Sequence, residues 1–133
     1  MDNNIQNIAK EFIKSFAKVD ELAMRNLLDE NIVAYVTNKE GGVDEVQGSN
    51  EFLKRLALMD VKNANLMIDI TQIVSVSSNQ VMFMVEISAT MSEKVLNNFA
   101  AFLLTIENNK ITKYWMVEAL PQYSDEFWLG KDK

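Results

Sequence analysis

The chain has 133 residues, 48% of them hydrophobic, and its 13 basic against 19 acidic side chains leave a formal charge of −6. With no cysteine and no histidine, a thiol nucleophile, a disulfide, an imidazole base and a Cys/His zinc site are all excluded, so no metal or cofactor is expected. The acidic balance, without a Lys/Arg-dense stripe of the kind that drives non-specific nucleic-acid binding, argues against DNA and RNA. No stretch approaches the roughly 20 apolar residues of a membrane span, and Met1-Asp2-Asn3-Asn4 lacks the charged and apolar regions of a signal peptide. One cytoplasmic domain over residues 1–133 is the expectation.

Ile5, Ile8, Ala9, Phe12, Ile13, Phe16 and Val19 recur at three- and four-residue spacing, with Lys10, Glu11, Lys14, Ser15 and Lys18 between them, which predicts an amphipathic first helix. Asp20 can cap a short second helix to about Leu28, with Leu22, Leu27 and Leu28 on its apolar side, before Asp29-Glu30-Asn31 breaks the pattern. Ile32 to Thr37 reads as a short strand carrying Tyr35. The run Asn38 to Gly42 reads as a turn rather than a phosphate loop, because the GxxxxGK[ST] spacing is missing. A third helix follows from about Glu51 to Met59, capped by Ser49 or Asn50, with Phe52, Leu53 and Leu56 buried.

Beyond Asn65 the chain reads as four strands, Leu66 to Val76, Val81 to Thr90, Asn98 to Ile106 and Ile111 to Leu120, whose short second and third links favour antiparallel neighbours. In the second of these, Phe83, Val85, Ile87 and Ala89 share one face. The other face, Met82, Met84, Glu86, Ser88 and Thr90, is more apolar near its start than a solvated face requires. Pro121 ends the last strand, and a tail carrying Tyr123, Phe127, Trp128 and Leu129 has too much apolar surface to stay free, so it should pack back on the domain. Helices in front and a mostly antiparallel sheet behind define an α+β class. The fourteen asparagines are scattered and read as caps and turns.

This order of elements resembles the nuclear transport factor 2-like superfamily, in its SnoaL-like and ketosteroid-isomerase-like branch. The residues that carry the resemblance are Phe12 to Phe16, Val19-Asp20-Glu21-Leu22, Leu27 to Asn31, Gly48 with Phe52-Leu53, and the hairpin from Phe102 to Lys113. The resemblance implies three N-terminal helices packed on a curved sheet as a cone, an apolar cavity open at one end, and a homodimer through the outer sheet face, where Met82 and Met84 lie. It also implies positions for two oxyanion donors and a carboxylate base. Here these match Phe12, Ala101 and Val36, none of which can exchange a proton through its side chain. The Asp-Arg-Asp set of the related epoxide hydrolases finds no obvious counterpart around Arg25 or Arg55, the chain's two arginines.

If the last strand keeps the family register, Tyr114, Met116 and Glu118 face the cavity while Lys113, Trp115 and Val117 face outward. Glu118 is then the carboxylate candidate and Tyr114 its hydrogen-bonding companion, against the plainer readings of an exposed strand-end acid and a structurally satisfied tyrosine. Phe12, Phe16, Val36, Phe83, Val85, Ile87, Ala101, Leu103 and Met116 are the expected ligand-binding wall. Tyr35 and Asp69 are weaker candidates by strand parity, and Glu86 reads as a convex-face residue. Trp115, Phe127 and Trp128 fit an interface or a sheet edge. Three functions remain open: a domain binding a hydrophobic small molecule, an isomerase or cyclase acting on a hydrophobic carbonyl compound through Glu118 and Tyr114, and a dimeric protein-interaction scaffold.

Overall fold

Helix α1 (Asp2–Ala17) forms on an apolar stripe: Ile5, Ile8, Ala9, Phe12 and Ile13 are buried, while Lys10, Glu11 and Lys14 are exposed. The computed structural model describes residues 2–38, 40–57, 61, 64–91, 93–120 and 127–128. The expectations placed on Met59, Pro121, Tyr123 and Leu129 lie outside them. The helix stops before Val19, which has a positive φ of 56°. Asp20 then caps α2 (Glu21–Leu27) by accepting a bond from the Ala23 N–H at 3.1 Å. The buried side of α2 is Met24, whereas Leu22 is 71% exposed and Leu28 already belongs to the next strand.

Among the described residues, six strands make one sheet in the order β2-β1-β6-β5-β4-β3. Strand β1 (Leu28–Thr37) begins at Leu28, so Asp29-Glu30-Asn31 lies inside a strand. The register shift between Leu28 and Val33 shows how the sheet accommodates it: parallel pairing with β6 overrides the local turn signal by bulging the polar residues. Asn38 organises the next turn, its Oδ1 accepting from the Glu40 and Gly42 N–H groups. The chain then returns as β2 (Val43–Gln47), a strand absent from the sequence reading because Val-Asp-Glu-Val-Gln carries too little apolar alternation.

Helix α3 (Ser49–Leu56) is entered through Gly48 at φ 91°, whose N–H bonds Ile32 O at 2.7 Å. The N-cap position is therefore Gly48 and not Ser49 or Asn50, because only glycine accepts that backbone without strain. Strands β3 (Met67–Ser75), β4 (Gln80–Met91), β5 (Lys94–Glu107) and β6 (Lys110–Glu118) pair antiparallel in succession. Strand β5 starts four residues before the expected Asn98, since Met91 pairs with Lys94 in a tight hairpin. The β5–β6 turn uses Asn108 and Asn109 at φ 54° and 64°, values that asparagine tolerates. Buried Asn98 holds the chain just past β6, its side chain donating to Leu120 O and accepting from Leu120 N–H, both at 3.1 Å.

Strict alternation sets the sheet's two faces. On β4, Val81, Phe83, Val85, Ile87 and Ala89 are buried; on β5 it is Leu96, Asn98, Ala100, Phe102, Leu104 and Ile106. Ala101 and Leu103 consequently face away from the helices, contrary to their expected place in the ligand wall. Ala101 pairs with Met84 and Val117, and Leu103 with Met82 and Trp115, all on the outer face. A one-residue slip in strand parity moves a side chain to the opposite face, and inward Ala100 and Phe102 are equally unable to supply an acid. No described helix is long and apolar enough to cross a membrane.

Candidate functional site

A cavity of about 240 Å³ opens between α1, α3 and the inner sheet face. Helix α1 supplies Phe12, Ile13 and Phe16, α3 supplies Phe52, Arg55 and Leu56, and β1 supplies Val36 and Thr37. Ile68 of β3 with the preceding Leu66, Val85 and Ile87 of β4, Leu96 and Phe102 of β5, and Tyr114, Met116 and Glu118 of β6 form the sheet wall, and Asp44 and Trp128 also border the cavity. Phe83 is 1% exposed and stacks on Phe102 at 4.7 Å between ring centres, so it backs the wall without bordering the cavity. Phe127 is buried and Trp128 borders the cavity, which places this pair in the interior rather than on an outer interface. Trp115 stays on the outer face, stacked on Tyr35 at 4.1 Å.

Tyr114 is the polar centre of an aromatic cluster. Its ring meets Phe52 at 4.7 Å, Phe102 at 5.7 Å and Phe12 at 5.8 Å, each edge to face, and the residue is 4% exposed. Among the described residues its hydroxyl partner is the Met116 Sδ at 3.9 Å, a weak acceptor for a phenol. Burial, reinforced by the negative charge of Glu118 and only partly opposed by Arg55, pushes the Tyr114 hydroxyl well above the ordinary phenol range. The upward shift favours the neutral, proton-donating form of Tyr114.

Polar groups gather at one end of the cavity. Arg55 Nη2 donates to Asp44 Oδ2 at 3.0 Å, and Asn38 Nδ2 donates to Asp44 Oδ1 at 2.8 Å. The Asn38 bond, outweighing partial burial and aided by Arg55, holds the Asp44 carboxyl below its usual range. The Glu118 backbone N–H donates to Thr37 Oγ1 at 3.2 Å, tying the end of β6 to β1. An Asp–Arg ion pair and a second carboxylate therefore border one cavity, an acidic partner for Arg55 that the sequence reading did not identify, though not an Asp-Arg-Asp set. The pair was hidden because it spans an unrecognised strand; the signal was Arg55 three residues after buried Phe52, hence on a neighbouring helix face. Tyr35, Asp69 and Glu86 do not border this cavity. Among the described residues no group of acids is arranged to hold a metal ion.

No family model matches the chain, and no curated protein is similar to it in sequence. Solved structures are similar in fold. Bal32a, from a soil-derived mobile gene cassette, superposes with a TM-score of 0.81 at 13% identity, over 96% of this chain and 98% of its own. A protein assigned as a SnoaL-like polyketide cyclase from Jannaschia sp. CCS1 gives 0.78 at 8% identity, over 100% and 96%. A protein of unknown function with a cystatin-like fold from Xanthomonas campestris gives 0.74 at 20% identity, over 93% and 97%. The chain has the α+β fold shared by SnoaL-like, ketosteroid-isomerase-like and nuclear transport factor 2-like proteins. At such identities the likeness carries the fold and no activity.

Proposed function

We propose that residues 1–133 form a single domain that binds a small, mainly apolar molecule carrying a neutral oxygen acceptor, such as a ketone. The observation that carries this reading is the Tyr114 hydroxyl, a strong donor buried on the wall of an aromatic cavity and matched only to a thioether at 3.9 Å among the described residues. A ligand oxygen is the better acceptor, and the surrounding Phe12, Phe16, Val36, Val85, Ile87 and Met116 offer apolar surface to the rest of the molecule. Titration calorimetry with a bicyclic ketone, decalone, and its hydrocarbon counterpart, decalin, tests it. The ketone is expected to bind about tenfold more tightly, the equivalent of one hydrogen bond of about 1.4 kcal/mol, and Tyr114→Phe to abolish the difference. Equal affinities in the unsubstituted protein would overturn the reading.

A second reading is favoured by the placement of Glu118 four residues beyond Tyr114, on the same strand face and the same cavity wall. A phenol donor for a carbonyl oxygen and a carboxylate on the same cavity wall are parts that an enolising isomerase or cyclase uses. The assigned names of structural relatives, a polyketide cyclase and a ketosteroid isomerase among them, support it. Loss of turnover in Glu118→Gln is the expected result, and unchanged turnover would sink it. A homodimer belongs to the same proposal. Met82, Met84, Phe99, Trp115 and Val117 are 40–52% exposed on adjacent strands of the outer face, an apolar surface suited to a second copy.

A further inference from the structure

A second groove, of about 510 Å³, runs between α1 and β3 on the far side of the sheet from β2. Its strand wall consists of every residue from Ile68 to Ile73. Successive strand residues point to opposite faces on either side of the bulge at Thr71, between Ile70 and Gln72, so a void bordered by six in a row follows the backbone edge rather than one face. Among the described residues strand β3 is the sheet's terminal strand and pairs with β4 alone, leaving the backbone donors and acceptors on either side of its bulge open to another strand. Helix α1 lies antiparallel to it: Gln6 Nε2 donates to Ser75 Oγ at 3.1 Å at one end, while Ile13 and Phe16 share the cavity with Leu66 and Ile68 at the other.

The helix wall carries Lys10, Lys14 and, just past the helix end, Lys18. All three are exposed, and among the described residues none is engaged in an ion pair. Among the described residues Asp69 is the single acid bordering the groove, so these residues carry a net positive charge on a chain whose overall charge is −6. Lysines four residues apart on a helix step by about 6 Å. Side chains on one face of an extended peptide step by about 6.7 Å. The two ladders stay within reach of each other over three positions, given the length of the lysine side chain.

We propose that this groove docks an extended acidic segment of a partner protein, added as a further strand against β3, with Asp or Glu at alternate positions facing Lys10, Lys14 and Lys18. The strand edge supplies backbone hydrogen bonds and the lysines supply register and sign. Three lysines on an acidic chain are too few to hold a nucleic-acid backbone. A second copy presents the same cations and meets repulsion at this edge.

The test is fluorescence polarisation of a labelled seven-residue peptide of alternating Glu and Thr, with capped ends, against the full chain. Expected are saturable binding that weakens with added salt, a loss of at least tenfold in affinity for Lys10→Glu/Lys14→Glu/Lys18→Glu, and a smaller loss for Lys10→Gln/Lys14→Gln/Lys18→Gln. A peptide N-methylated at alternate residues on its pairing edge should also lose at least tenfold. Circular dichroism and an unchanged decalone affinity establish that the variants are folded. Equal binding of a scrambled peptide of the same composition, or undiminished binding by the charge-reversed protein, would overturn the proposal. So would the absence of peptide binding together with self-association through this edge, which would assign the groove to a second copy.

Discussion

Replacing Tyr114 by phenylalanine removes one oxygen and separates a structural from a binding role for that hydroxyl. The ring stays, with its edge contacts to Phe52, Phe102 and Phe12 at 4.7, 5.7 and 5.8 Å. What is lost is a hydroxyl on a residue 4% exposed whose partner is the Met116 sulfur at 3.9 Å. Burying a poorly matched hydroxyl costs about 1–3 kcal/mol, and a long bond to a weak acceptor returns no more than the low end of about 0.5–1.5 kcal/mol. Tyr114→Phe should therefore leave the ligand-free protein as stable as before or about 1 kcal/mol more stable, a rise of roughly 3–5 °C in melting temperature for a domain of this size. Tyr114→Ala, which also empties the ring's place, should cost about 3–5 kcal/mol. Urea denaturation followed by circular dichroism gives both numbers. A loss above about 1.5 kcal/mol in Tyr114→Phe would refute the reasoning, because the hydroxyl would then have a strong structural partner.

Phe12→Ala removes a side chain 1% exposed that packs on Phe52 and Tyr114, and should cost about 3–5 kcal/mol in the same denaturation assay; half-buried Phe16, truncated to alanine, should cost clearly less. The Asp44 carboxyl is held below its usual range by the Asn38 hydrogen bond and by the hydrogen bond and charge of Arg55. A depressed folded-state pKa stabilises the fold above the unfolded value and loses that contribution as pH falls through the folded one. NMR titration should thus show the Asp44 midpoint rising both in Asn38→Ala and in Arg55→Gln, and an unmoved midpoint in either would contradict the assignment. Val117→Asp places a charge in the apolar outer face, at a position 51% exposed. Light scattering should show dimer converting to monomer, with the circular dichroism spectrum unchanged.

Much of the fold was legible because burial imposes simple periods. The three- and four-residue spacing of Ile5 to Phe16 marked α1, and the alternation from Val81 to Ala89 marked the inner face of β4. The inward set Tyr114, Met116 and Glu118 followed from the strand register that the family resemblance implies for β6, and all three line the cavity. Three features obscured the rest. Polar Asp29-Glu30-Asn31 looks like a break yet lies in a bulged strand, because pairing with β6 is a long-range contact that local composition does not encode. Short β2 carries only Val43 and Val46 as apolar markers, so Asp44 was not placed beside Arg55, and the polar end of the cavity went unseen. The displacement of Ala101 and Leu103 to the outer face came from parity: with no local marker of register on β5, neighbouring apolar residues are interchangeable until the strand pairing is known.

The most direct measurement is the distance between the ketone oxygen and Tyr114 Oη in a crystal structure of the decalone complex. The expected result is a ketone in the cavity lined by Phe12, Phe52, Phe102 and Met116, with that distance at about 2.6–3.0 Å. A ketone bound elsewhere on the protein, or lying in the cavity with its oxygen turned away from Tyr114, would contradict the proposed site.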